Sequence, residues 1–232
     1  PGIDTIYDPF MGSGTTNIVA KTKGLNSVGV EAHPFVYENI TLSKLTWDLN
    51  VTQIKKFLSS LEFIEDTFPN EEAIELANIE NFPELVRKCY LPKSLYALWV
   101  IRQKINNAKE IGVHERRFLK TALICSLRDV SIAATGWPYI APKKVKITSM
   151  SKNAVETYIK KTFKMLDDIE SVKKECIDPN TKHEAILGDS RSTNIKSESV
   201  DHIFTSPPYL NNFDYADRTR LEMYFNGDAD NW

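Results

Sequence analysis

The feature that most constrains the fold is a glycine-rich turn near the start of the chain. A short apolar run over 5–7 leads into Asp8-Pro-Phe-Met-Gly-Ser-Gly-Thr-Thr16. Gly12 and Gly14 allow a tight turn and a close approach of the backbone to a ligand. An apolar strand that ends in such a turn, just before a helix, is typical of a parallel α/β sheet. The Walker A pattern is excluded because Thr15, and not a lysine, follows Gly14.

The alternation of strands and helices continues on both sides of a long middle segment. We predict a helix over 16–23, a strand over 27–30 and a helix over 33–49. Two further strands are predicted over 184–187 and 200–205. Each predicted strand is followed by polar or glycine-containing residues, and open parallel sheets bind ligands at the edge where their strands end.

The middle segment has helical periodicity instead. Its apolar residues recur at helical spacing over 94–105, 114–133 and 153–172. We therefore predict an α/β core formed by 1–49 and 183–232, interrupted by a mostly helical insert over 50–182.

Composition and sequence pattern argue against a disordered chain, a disulfide-rich or zinc-binding protein and a membrane protein. With 42% hydrophobic residues and a net charge of -2, the chain has material for a core, and any nucleic-acid site must be a local patch. The 3 cysteines show neither a disulfide framework nor a zinc-binding spacing, so we predict no metal site. Neither a signal peptide nor a membrane-length apolar run is visible, which predicts a cytoplasmic protein without membrane association.

The glycine-rich string resembles the S-adenosylmethionine motif of DNA amino-methyltransferases, which implies that cofactor. Glu31 ends the second strand, where an acidic side chain can accept hydrogen bonds from both ribose hydroxyls. Asp189 follows the third strand and is predicted to accept from the adenine amino group, although Gly-Asp-Ser is also common in simple turns. The predicted cofactor-binding residues are Asp8, Pro9, Phe10, Gly12, Gly14, Thr15, Glu31 and Asp189.

A second motif, Ser206-Pro207-Pro208-Tyr209, is predicted to be catalytic. The prolines fix the backbone and lack N–H donors, so the Pro207 carbonyl becomes a rigid acceptor. An attacking exocyclic amine needs acceptors to orient its N–H groups, and Ser206 can supply another. Tyr209 offers a ring on which a flipped base could stack.

Together the motifs resemble the amino-methyltransferases of restriction–modification systems, over about residues 1–49 and 184–227. In that family the tetrapeptide is (D/N/S)PP(Y/F/W), and the serine form occurs mainly in enzymes that methylate cytosine N4. The resemblance implies a Rossmann-like class I methyltransferase core and a site-specific DNA methyltransferase, with cytosine N4 as the preferred target. Adenine N6 in DNA, a guanine amino group in RNA, and a non-catalytic methyltransferase-like subunit remain alternatives.

The insert supplies the predicted DNA contacts, because a lysine-rich stretch over 141–164 beside aromatic residues suits phosphate contact and base stacking. An ordinary solvated helix face and loop is the alternative for this stretch. The predicted nucleic-acid residues are Trp137, Tyr139, Lys143, Lys144 and Lys146. The implied partners are double-stranded DNA and a cognate restriction endonuclease.

Two departures from the family pattern concern the ends of the chain. The usual helix before the first motif is absent, and nothing after Phe225 could supply further strands. Since the sequence also starts at Pro1, we expect an incomplete fragment of a longer protein.

Overall fold

A computed structural model describes residues 4–61, 64, 81–135, 140–145, 152–209 and 217–229. Within these ranges the strands are β1 (Thr5–Asp8), β2 (Asn26–Glu31), β3 (Ala133–Thr135), β4 (Ile140–Val145), β5 (His183–Leu187) and β6 (His202–Ile203). The α-helices are α1 (Thr15–Thr22), α2 (Pro34–Val36), α3 (Leu42–Leu45), α4 (Val51–Ser59), α5 (Glu84–Cys89), α6 (Pro92–Asn107), α7 (Val113–Val130), α8 (Ala154–Glu175) and α9 (Arg220–Asn226). No helix in the described ranges is both long and apolar enough to cross a membrane.

The chain divides into two compact units. The first comprises Pro1–Leu49 and Leu166–Asn211, and the second comprises Asn50–Met165 and Asn212–Trp232. The division after Leu49 coincides with the predicted start of the insert. The divisions after Met165 and after Asn211 do not coincide with the predicted boundary at 182/183. The division into core and insert therefore stays a prediction about domain organisation.

The first unit contains a four-stranded parallel sheet with the order β5-β2-β1-β6. Asp8 of β1 pairs with Gly29 of β2, and Glu31 of β2 pairs with Leu187 of β5. The predicted α/β class with a Rossmann-like parallel sheet is confirmed. β6 is shorter than the predicted strand over 200–205, since its pairing with β1 covers His202 and Ile203 and continues with one backbone hydrogen bond from Phe204.

Tight packing under the sheet explains one glycine of β2. A Cβ built on Gly29 would lie 2.6 Å from Met11 Sδ and 2.8 Å from Asn17 Oδ1. Met11 and Asn17 are both buried, so they fill the space that a side chain at this position would need. Glycine here lets the turn after β1 and the helix α1 pack directly on the second strand.

The helix predicted over 33–49 is interrupted and ends early. A π-helical turn, Tyr37–Thr41, separates α2 from α3, and α3 ends at Leu45. The Thr41 hydroxyl donates to the carbonyl of Gly12 at 2.8 Å, and the carbonyl of Val36 lies 3.3 Å from the same oxygen. The π-helical turn therefore stabilises the glycine-rich turn through this hydrogen bond, and helical periodicity does not predict such a contact.

The second unit is built on α6 and α7, as the apolar periodicity predicts. Their fully buried side chains include Leu95, Leu98, Ile101, Ile105, Leu119, Leu123 and Leu127. The prediction of a mostly helical insert misses one element, the antiparallel pair of β3 and β4. The strand β4 carries Pro142 and two lysines, and a proline within such a run argues against a strand.

Candidate functional site

The predicted site residues of the first unit lie at one edge of its sheet. Because all four strands are parallel, Asp8, Glu31 and Asp189 lie at or just beyond the carboxyl ends of β1, β2 and β5. The segment 204–209 leaves the same edge after β6. Along the chain the strands of this sheet come in the order β1, β2, β5 and β6. In the sheet, β2 and β5 lie on one side of β1 and β6 lies on the other, so the strand order reverses between β1 and β6. Open α/β sheets bind their ligands at such a reversal.

Asp8 occupies the centre of this edge. Its residue is 4% exposed, and its carboxylate accepts three hydrogen bonds. The Phe10 N–H donates to Oδ1 at 3.0 Å, and the Thr16 hydroxyl donates to Oδ2 at 2.6 Å. The Thr205 hydroxyl donates to Oδ1 at 2.7 Å. These donors compensate the buried charge, and a direct contact between Asp8 and a cofactor stays a prediction.

The glycine-rich turn presents backbone to open space. Gly12 and Gly14 have φ angles of 53° and 82°, in the region that favours glycine. A Cβ built on Gly12 would meet nothing within 4 Å, whereas the carbonyl of Gly12 is held by Thr41. Lys44 Nζ also donates to Ser13 Oγ at 3.1 Å. The turn is therefore fixed on one side and accessible beside Gly12, which suits the close approach of a cofactor.

The two other predicted cofactor carboxylates already have partners within the chain. Glu31 is half-buried, and its Oε1 accepts from the His33 N–H at 2.6 Å. Arg191 donates from Nη2 to Asp189 Oδ2 at 2.5 Å and from Nε to both oxygens at 3.0 Å. These hydrogen bonds lower the pKa of Asp189 to about 2, so the group is anionic at neutral pH. Sequence reasoning did not identify Arg191 as the partner of this carboxylate.

The segment after β6 is exposed along its described length. Ser206, Pro207 and Pro208 are exposed, and Tyr209 has 65% of its surface accessible. The Phe204 N–H donates to the carbonyl of Tyr7 at 3.0 Å, which extends the pairing with β1 by one hydrogen bond. The accessible ring and the exposed serine are compatible with contact to a base. Their catalytic role stays a prediction.

In the second unit, a groove of about 460 Å³ carries part of the basic stretch. Four of the residues that line it are lysines, so we call it the lysine groove: Lys152, Lys160, Lys161 and Lys164. Glu156 pairs with Lys160 at 2.5 Å, and Asp129 pairs with Lys161 at 2.7 Å. Four cations against two acids leave the groove positively charged.

The residues predicted to contact nucleic acid lie in the sequence at and next to β4. Trp137, Tyr139 and Lys146 lie outside the described residues. Lys143 and Lys144 belong to β4, but their side chains are also outside the description. In the described ranges, no group of three or more His, Cys, Asp or Glu side chains could hold a metal ion.

The sheet order and the glycine-rich turn define a Rossmann-like α/β protein whose strand order reverses next to that turn. Residues 3–42 match the family model described as DNA methylase. The chain is 24% identical to the type II methyltransferase M.BsoBI of Geobacillus stearothermophilus, over 97% of this chain and 47% of the relative. No solved structure matches the chain.

Two further relatives carry the same kind of name. The type II methyltransferase M.MjaII of Methanocaldococcus jannaschii is 24% identical over 93% of this chain and 56% of the relative. The type II methyltransferase M.MvaI of Kocuria varians is 24% identical over 90% of this chain and 47% of the relative. The chain spans about half the length of these relatives. The matches confirm the predicted relationship to the DNA amino-methyltransferases of restriction–modification systems.

Proposed function

We propose that this chain carries the cofactor-binding and base-positioning motifs of a DNA methyltransferase that uses S-adenosylmethionine and modifies an exocyclic nitrogen, with cytosine N4 as the preferred target. The observation that supports this most is the hydrogen bond between Asp8 and Thr205, at 2.7 Å. It joins the turn of the first motif to the segment of the second at the switch point of the sheet.

The chain's own residues suit the cofactor. The open space beside Gly12 admits a ligand against the backbone, and Glu31 ends β2 where ribose hydroxyls can donate to it. Asp189 would accept from the adenine amino group after giving up part of its pairing with Arg191. The cofactor supplies a methyl group that its positively charged sulfur already activates.

The base would be oriented by the segment after β6. Ser206 and the Pro207 carbonyl would accept hydrogen bonds from the target amine, and Tyr209 would stack on the flipped ring. Such a reaction needs correct placement more than an added nucleophile or metal, and placement alone can contribute several orders of magnitude in rate. The serine of this motif is the reason for preferring cytosine N4.

The lysine groove is proposed to contact DNA phosphates. Neutralising a phosphate releases condensed counterions, so each contact contributes about 0.9 to the slope of log affinity against log salt. Changing Lys160 and Lys164 to alanine should lower that slope by about 1 to 2. Changing Lys55 and Lys56 of α4 is the matched control, and an unchanged slope for the groove variant would remove it from the interface.

The target is tested by mass spectrometry of nucleosides from DNA and RNA incubated with the full-length protein and labelled cofactor. We expect label in N4-methylcytosine. Label in N6-methyladenine or in a guanine of RNA would correct the target and keep the chemistry. Cofactor binding without label in any nucleoside would indicate a non-catalytic subunit. A restriction endonuclease of the same sequence specificity is the partner that this proposal implies.

A further inference from the structure

We infer that Thr205 is a positioning residue that couples the cofactor turn to the base-binding segment, an inference whose catalytic part rests on the proposed function. The three donors to Asp8 come from different parts of the chain. Phe10 belongs to the turn and Thr16 to α1, both directly after β1. Thr205 belongs instead to the segment after β6. One buried carboxylate therefore holds both segments.

Because Thr205 lies between the last paired residue of the strand and Ser206, its hydrogen bond to Asp8 orients the segment that follows. Backbone pairing between β1 and the last strand ends with the hydrogen bond from Phe204 to Tyr7. The Thr205 hydroxyl then fixes the next residue along the chain, directly before Ser206. Proline fixes its own φ angle and restricts the residue before it to extended conformations, so Ser206, Pro207 and Pro208 follow the orientation of Thr205 with little freedom. The direction of the Pro207 carbonyl thus depends on the anchor at Thr205.

The same contact makes the two segments sensitive to each other. A ligand that orders the glycine-rich turn would hold Asp8 more firmly, and Asp8 would in turn hold Thr205. Placement of the amine acceptors would then improve when the cofactor site is filled. Thr16 donates to the other oxygen of the same carboxylate but belongs to α1, so it offers a matched comparison.

The link itself is tested by amide hydrogen exchange on the ligand-free chain. Thr205→Val keeps the side-chain shape and removes the donor, and Thr205→Ser keeps the donor. We expect the valine variant to exchange about tenfold faster at Phe204, whose N–H donates to the Tyr7 carbonyl directly before Thr205, and the serine variant to match the parent. Thr16→Val should speed exchange in the turn and leave Phe204 unchanged. Parental exchange at Phe204 in Thr205→Val would overturn the inference.

The positioning role is tested by methyl transfer with the full-length protein. Misplacement of about 1 Å can cost on the order of a hundredfold in rate. Thr205→Val should therefore lower kcat by about tenfold to a hundredfold with KM for the cofactor within about threefold, and Thr205→Ser should restore kcat. Thr16→Val should mainly raise that KM. An unchanged kcat in Thr205→Val, or no rescue by serine, would refute the positioning role. If the parent protein transferred no methyl group, the proposed function would fail, while the exchange experiment would still decide the link.

Discussion

The buried carboxylate of Asp8 offers the sharpest test of how the site is held together. Asp8→Ala would remove the acceptor of three donors at 2.6, 2.7 and 3.0 Å. A hydrogen bond to a charged group contributes about 1.5–3 kcal/mol. The full sum is not expected, because the hydroxyls of Thr16 and Thr205 can turn toward water and the burial cost of the charge disappears. We therefore predict a loss of about 3–5 kcal/mol in the free energy of unfolding.

Asp8→Asn separates the charge from the geometry of this site. The amide oxygen can still accept from Phe10 and Thr205, but each hydrogen bond falls to the neutral range of about 0.5–1.5 kcal/mol. The predicted loss is about 1–3 kcal/mol, smaller than for alanine. Asp4→Asn is the control, since that carboxylate is 57% exposed and should change stability by less than about 0.5 kcal/mol.

Two measurements decide this prediction. Urea denaturation gives the stability of each variant, and calorimetric titration with S-adenosylmethionine gives its cofactor affinity. We expect Asp8→Ala to weaken cofactor binding by about tenfold or more, since the turn loses its anchor. Equal stabilities for Asp8→Ala and the parent would refute the hydrogen-bond account. A destabilised variant with parental affinity would refute the assignment of this turn to the cofactor.

Two further predictions concern residues of the sheet, His183 of β5 and Gly29 of β2. Burial, with a smaller effect of Lys21, lowers the pKa of His183 from 6.5 to about 4, so the folded state binds fewer protons than the unfolded state between these values. The contribution of His183 to the free energy of unfolding should be fully present above pH 6.5 and should decrease as the pH drops toward 4. The variant His183→Gln should lose part of this pH dependence. Gly29→Ala should cost about 1–3 kcal/mol, because the new Cβ would lie 2.6 Å from Met11 Sδ. Gly188→Ala, with nothing within 4 Å, should cost less.

Each of these predictions has a clear contrary result. Urea midpoints taken across the acidic range would contradict the histidine account if His183→Gln kept the full pH dependence of the parent. For the glycines, equal losses at Gly29 and Gly188 would show that contact with Met11 does not set the cost.

Local patterns predict the parts of this site that lie within one strand and its following turn. The glycine string, Glu31 and the serine–proline motif are each recognisable because a strand exit needs special backbone or polar residues. Parallel strands place their exits at one edge, so the shared location follows from the fold class. This is why the α/β core and the positions of its motifs were predictable.

The contacts that join these parts were not predictable in the same way. The hydrogen bond from Thr205 to Asp8 links residues 197 positions apart. It exists because β6 lies beside β1, and the order of strands in a sheet is not encoded in local periodicity. The pairing of Arg191 with Asp189 depends on a loop conformation and left no sequence signal. The strand β4 was missed because its proline and lysines hide the alternation that marks strands.

A crystal structure of the chain with S-adenosylhomocysteine would test most directly whether both motifs serve one site. We predict ribose hydroxyls on Glu31, the amino-acid end of the ligand against Gly12 and Gly14, and the thioether sulfur facing the segment from Ser206 to Tyr209. A ligand bound away from this edge of the sheet, or a sulfur turned away from that segment, would contradict the account.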